Sequence, residues 1–156
     1  RWQSRAPTPA PHLIQLLTPL GCDYHYVFLD WAPSISLASE NVFSAADVLL
    51  VPTIPTTLSL RTLKQLLAFT DQRKYRHLKV VPFFSMVDRR KSLHREIVED
   101  PPKILKRRLA TAVPYASSVE QMGRRRAPLE SYAPSSDAAL AYRQLWQELQ
   151  ARLEKK

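Results

Sequence analysis

Short apolar runs alternate with helix-spaced stretches along most of this chain, and that alternation restricts the fold more than any other feature. Residues 26–29, 48–51 and 80–84 and the end of 104–113 read as four strands. The first run, Tyr26-Val27-Phe28-Leu29, has no polar alternation, as expected of a strand covered on both faces. Between the runs lie helical patterns. Leu13, Leu16, Leu17 and Leu20 share one helical face, with Gly21 as the expected stop. Ser34 or Ser36 can cap a helix reaching about residue 45, and Thr56 or Thr57 caps the next, with Leu60, Leu63, Leu66 and Leu67 inward. Residues 91–99 form a short helix stopped by Pro101-Pro102, and residues 117–122 a helical turn. Ser135 or Ser136 caps the last helix, with Ala138, Tyr142, Leu145, Leu149 and Leu153 on one face. Pro82 inside the third run is a mild objection to a strand, because proline donates no ladder hydrogen bond. The pattern predicts an α/β fold, a mostly parallel sheet flanked by helices. Ligands of such sheets gather at strand carboxyl ends. Asp30, Pro52, Asp88 and Pro114 are expected there, on one rim.

Composition removes several classes of function. The chain has 156 residues, enough for one domain with a core, and 45% of them are hydrophobic. No apolar run approaches the roughly 20 residues of a membrane span, and no signal-peptide core is present near Arg1. Cys22 is the single cysteine, which excludes an internal disulfide and argues against a zinc site; it is expected to be a small buried or half-buried residue. Two glycines, Gly21 and Gly123, stand far apart. A phosphate-binding loop needs two glycines five residues apart before Lys and Ser or Thr, and a dinucleotide fingerprint needs three in six. Neither exists in these residues. His12, His25, His77 and His94 have no metal-ligand spacing, and no serine shows a hydrolase arrangement. Trp2, Trp31 and Trp146 read as packing residues.

The net charge of +9 is uneven. Residues 1–60 hold two basic and four acidic side chains, and residues 61–156 hold 21 basic and 10 acidic ones. A basic half of this kind suits a polyanion or an anionic surface, and equally a solvated arginine-rich face. The clusters are Arg89-Arg90-Lys91, Lys106-Arg107-Arg108, Arg124-Arg125-Arg126 and Lys155-Lys156. Arg124 to Arg126 are expected in a loop, and Lys155-Lys156 in a frayed tail. Asp88 reads either as a ligand-contacting carboxylate or as a partner of Arg89 or Arg90.

Five stretches together resemble the ParA/MinD family of partition and positioning ATPases. They are Phe28-Leu29-Asp30-Trp31-Ala32-Pro33-Ser34; Ala46-Asp47-Val48-Leu49-Leu50-Val51-Pro52, followed by Leu58-Ser59-Leu60; Ser85-Met86-Val87-Asp88-Arg89-Arg90-Lys91-Ser92-Leu93; Val113-Pro114, with a loop to Ala127-Pro128; and Tyr132-Ala133-Pro134-Ser135-Ser136 before Ala138-Ala139-Leu140-Ala141-Tyr142. The family's first strand and lysine-bearing phosphate loop have no counterpart in these residues. The resemblance therefore implies the C-terminal portion of one such domain over residues 11–156, after a loop or tail at 1–10. It implies a P-loop NTPase-like sheet without its N-terminal strand. Such a sheet would expose a long apolar edge, so the piece is expected to be marginal alone or to pair with another chain.

The resemblance also implies roles. Asp30 would serve catalysis by orienting magnesium, through water. Pro33, Ser85, Met86, Asp88, Pro114 and Ser117 would contact ATP. Arg89, Arg90, Lys91, Arg124, Arg125 and Arg126 would hold non-specific DNA through its phosphates. The implied partners are a second copy bound with ATP and a protein that stimulates hydrolysis; the implied location is cytoplasmic and nucleoid-associated, without integral membrane attachment. Ala32 stands where the family has proline, and Trp31 where small residues are usual. A remnant without ATPase activity, acting as a DNA-binding or scaffold module, is the alternative reading. Peripheral membrane attachment, as in MinD-like relatives, is a third.

Overall fold

A computed structural model describes residues 10–30, 37–71 and 75–154, with side chains from residue 13 and, after the first break, from residue 41. Two compact units divide the chain: Arg1–Leu49 with Thr70–Lys79, and Leu50–Phe69 with Val80–Lys156. In chain order the elements are α1 (Ala10–Leu17), α2 (Leu20–Asp23), α3 (Leu37–Ala45), β1 (Val48–Thr53), α4 (Thr57–Thr70), β2 (Lys79–Val87), α5 (Ser92–Glu99), β3 (Ala112–Pro114), α6 (Ser117–Arg125) and α7 (Asp137–Glu154). Two 3₁₀ turns, Lys103–Leu105 and Leu129–Ser131, join the later ones. The sheet is parallel with order β1-β2-β3, so the predicted α/β class with helices flanking a parallel sheet is the observed one.

The first unit packs α1 against α3. Val42, Phe43, Tyr75 and Leu78 are buried in it, and the Phe43 and Tyr75 rings meet edge to face at 5.8 Å. Three expectations are corrected here. Residues 26–29 belong to no strand of the described sheet. Phe28 is 71% exposed and Val27 43%. Apolar β-favouring composition makes a strand only where a neighbour completes the ladder, and the described sheet ends at β1. Gly21 lies inside α2 rather than closing α1. The stop is Thr18, whose amide and hydroxyl both bond the Ile14 carbonyl, followed by Pro19, which begins a new turn. Cys22 is exposed, because α2 has no buried residue.

In the second unit β2 is the middle strand, and residues 81–84 are all buried, as a strand covered on both faces requires. Pro82 fits for a definite reason. Its carbonyl accepts the Leu109 amide at 2.9 Å, while the ladder to β3 starts only at Phe84 opposite Ala112. A residue's N–H and C=O point to the same side of a strand, so the missing donor faces a stretch where β3 has not begun. Leu63 of α4, Phe84 and Val87 of β2, Ile97 of α5 and Leu105 form one core cluster, with Val51, Leu60 and Leu67 against it. The predicted cap of α4 is Thr56, whose hydroxyl accepts the Ser59 amide at 3.3 Å. That of α7 is Ser136, which accepts the Ala139 amide at 3.2 Å. On α7 the buried positions are Ala138, Ala139, Ala141, Leu145 and Leu149, whereas Tyr142 turns outward. Residues 117–122, expected as a single turn, continue to Arg125 as a full helix.

Glu148 fastens α7 to the segment entering β3. Its carboxylate accepts the Ala110 amide at 2.6 Å, the Thr111 amide at 2.9 Å and the Thr111 hydroxyl at 3.0 Å. Desolvation raises its pKa, but those hydrogen bonds and the Arg152 charge outweigh it, so the group titrates below the ordinary glutamate value. A lowered folded pKa gives stability that is fully present above the ordinary value and is lost as pH falls below it. Glu148→Gln is expected to cost about 1–3 kcal/mol near neutral pH. The difference in urea midpoint between it and the native protein should shrink as pH falls from about 6 to about 3; a constant difference would refute the charged staple.

Candidate functional site

The carboxyl ends of the three strands and the turns after them meet at a cleft. Its volume is about 270 Å³, and Ile54, Thr56, Met86, Asp88, Lys91, His94 and Tyr115 line it. Ile54 and Thr56 follow β1, Met86 and Asp88 close β2, and Tyr115 follows β3. The Tyr115 amide bonds the Val87 carbonyl at 3.0 Å, which draws the ends of β2 and β3 together.

A bulge shapes the floor. Phe84 faces Ala112 and Val87 faces Pro114, so β2 uses one residue more than β3 over the same span. Met86 takes up the excess with φ 56°, a left-handed conformation that costs a non-glycine residue about 1–2 kcal/mol. Its side chain stays 44% exposed at the cleft. Strain of this kind concentrates where backbone must re-aim a side chain at a ligand.

Asp88 organises the turn that follows. Its Oδ1 accepts the Arg90 amide at 3.1 Å and Nε at 2.9 Å, and its Oδ2 accepts Nη2 at 3.0 Å. Asp88 is paired with Arg90 and also lines the cleft. The Arg90 hydrogen bonds hold the Asp88 pKa down at about 2. The Asp88 amide donates to Nδ1 of His94 at 3.1 Å, which puts the ring proton on Nε2. His94 is buried at 3% exposure on the inner face of α5. At the far side the Tyr115 hydroxyl donates to Glu120 at 2.9 Å, and that bond raises the phenol's pKa.

The residues predicted to contact nucleotide divide. Met86 and Asp88 line this cleft. Ser85 and Pro114 are half-buried beside it in sequence, and Ser117 is exposed at the start of α6. Pro33 lies outside the described residues, as do Trp31 and Ala32. Asp30 is exposed in the first unit and is not at the end of a strand. Sequence reading assigned no site role to Ile54, Thr56 or His94, and reached Tyr115 only as part of the segment 113–117 that the resemblance gives to the nucleotide. The strand-end rule could have found Ile54, Thr56 and Tyr115. His94 was readable as buried from its spacing to Ile97.

The basic clusters are also placed. Arg89, Arg90 and Lys91 are exposed in the turn before α5. Arg124 and Arg125 form the last turn of α6, not a loop, and Arg126 ends it at φ 48°. A helix continues there because Gln121 and Arg125 pair at i,i+4, and the Arg125 guanidinium stacks 4.7 Å over the Tyr132 ring. Lys155-Lys156 lies outside the described residues.

An apolar lip of Ile54, Met86 and Tyr115 with polar groups beside it suits the flat face and edge of a nucleobase. Magnesium is held by one or two carboxylates together with substrate phosphates, so a single Asp30 is compatible with it. Among the described residues no group of three His, Cys, Asp or Glu could hold a metal, and no helix is long and apolar enough to cross a membrane.

Residues 4–80, just under half of the chain, match the profile of a family described as AAA domain, a P-loop NTPase family that includes ParA/MinD-like members. No curated protein matches the chain. The match runs through Asp30 and β1.

Two measurements follow. Met86→Gly should leave stability unchanged or raise it by up to about 1 kcal/mol, and Met86→Ile should lower it by about 1–2 kcal/mol in urea unfolding. The opposite ranking would remove the strain. For Asp88, the lowered pKa gives a contribution present above the ordinary aspartate value and lost as pH falls toward about 2. Carboxyl NMR titration should show its midpoint rising toward the ordinary aspartate value in Arg90→Ala, though not fully to it, because the amide of residue 90 still donates to Oδ1.

Proposed function

We propose that this chain supplies the base-binding side and DNA-binding surface of a ParA/MinD-type ATPase. The profile match over residues 4–80 carries the reading, because it spans the segment around Asp30 that resembles the family's carboxylate motif. ATP would be the substrate, bound with magnesium that neutralises its phosphates, and its hydrolysis by water to ADP and phosphate would end the DNA-bound state. Asp30 would orient the metal's water shell. Met86, Asp88 and Tyr115, with Ser85, Pro114 and Ser117 nearby, would hold the base; Pro33 would stiffen the turn after Asp30. ATP would pair two copies, and a second protein would speed hydrolysis. Arg89, Lys91, Arg124 and Arg126 would bind DNA phosphates without reading bases, placing the protein on the nucleoid and serving partition of replicons or positioning of a cellular complex.

A non-catalytic DNA-binding module is the second reading. The two distant glycines favour it, since these residues hold no phosphate loop. Salt-titrated DNA binding with and without ATP separates the two. The ATPase reading expects affinity that rises with ATP. The second expects affinity indifferent to ATP. In both, Arg124→Ala and Arg126→Ala should each reduce the slope of log affinity against log salt by about one. An unchanged slope in both variants would end the assignment of α6 to DNA.

A further inference from the structure

A second cavity, of about 330 Å³, opens at the other end of β3, where Ala110 precedes the strand. Pro101, Pro102 and Leu105 form an apolar wall, and Lys106, Arg108, Glu148 and Arg152 the polar one. The charges there do not cancel. Glu148 spends its oxygens on the Ala110 and Thr111 amides and the Thr111 hydroxyl, and lies 3.9 Å from Arg152. Arg152 also donates to the carbonyls of Arg107 and Arg108. Arg108 bonds the Leu109 carbonyl at 3.0 Å and lies 5.4 Å over the Phe84 ring, with no carboxylate beside it. The Lys106 ammonium makes no hydrogen bond or ion pair among the described residues. Two cations, Lys106 and Arg108, are therefore left without an acidic partner in one concavity.

Two features make this more than a solvated basic surface. Carbonyl bonds and ring stacking fix the Arg108 and Arg152 guanidiniums in place, so their remaining N–H groups are oriented before any ligand arrives, which lowers the entropy cost of binding. The concavity also focuses the field of its cations. We propose that this pocket binds a phosphate monoester: its two negative charges match Lys106 and Arg108, and Pro101, Pro102 and Leu105 face its organic part. The site is separate from the strand-end cleft and stands whether or not the ATPase reading does.

Calorimetric titration of the intact chain at low salt tests this, with inorganic phosphate and with adenosine monophosphate as probes, backed by amide NMR. Saturable binding is expected, with the amides of Ala110 and Thr111 shifting and Lys106→Gln weakening affinity about tenfold. Lys64→Gln, an exposed charge on α4 that lines neither cavity, should leave it unchanged. Tighter binding of the nucleotide than of phosphate would mark a monoester site, and equal binding would mark a free-phosphate site and overturn the monoester assignment. Arg108→Gln removes a ring contact and can unfold the loop, so Lys106→Gln decides. Absence of saturable binding, or equal affinity in Lys106→Gln and the native chain, would overturn the pocket altogether.

Discussion

Burial of β2 on both faces is the constraint from which the second unit follows. Four consecutive residues, Val81-Pro82-Phe83-Phe84, are buried, so their polar backbone must be paired and both faces must be covered. Parallel partners supply the pairing. On the Phe84 side, α4, α5 and Leu105 supply the cover. Helical crossovers are the ordinary way to join parallel strands, and the order β1-α4-β2-α5-β3 is the shortest arrangement of that kind for three. Even the proline is used where it removes no ladder bond.

The same strand explains where chemistry can occur. While residues 81–84 are locked by packing, the next residues need not be, and the bulge at Met86 shows the ladder losing register at its carboxyl end. A strained left-handed methionine, an aspartate held ionised by Arg90 and a buried histidine follow within ten residues of Phe84. Rigid core on one side and re-aimed loops on the other is the arrangement by which open α/β sheets place ligands. At the opposite end of β3, Glu148 ties α7 to the entering strand and in doing so leaves Lys106 and Arg108 without acidic partners. A structural staple thereby sets the charge of a cavity.

Much of this was readable beforehand, for reasons that differ by element. The helices α4 and α7 declared themselves through leucine and alanine spacing and through Thr56 and Ser136, because capping and one-sided burial are local properties. The strands β1 and β2 did so through apolar runs, and β3 was placed only as the end of residues 104–113. The same signal failed at residues 26–29, since strand formation is a property of a pair and no local pattern reports whether a neighbour is present. Tyr142 was assigned to the buried stripe of α7 and points out; Arg124 and Arg125 were assigned to a loop and are helical. Both errors arise because tertiary packing selects which of two adjacent helical faces is covered and how far a marginal helix extends.

Sequence alone determined the fold class, the positions of the later helices and strands, the concentration of positive charge beyond residue 60 and the lack of a glycine-rich phosphate loop in these residues. Each depends on composition or on spacing along one segment. Only the tertiary structure decided that His94 lies beneath the turn, that Met86 carries a bulge and that Glu148 and Arg152 meet the loop before β3. Those contacts join residues from separate elements, some of them 37 or more positions apart. Their distances are fixed by how helices settle on a sheet, which no single segment encodes.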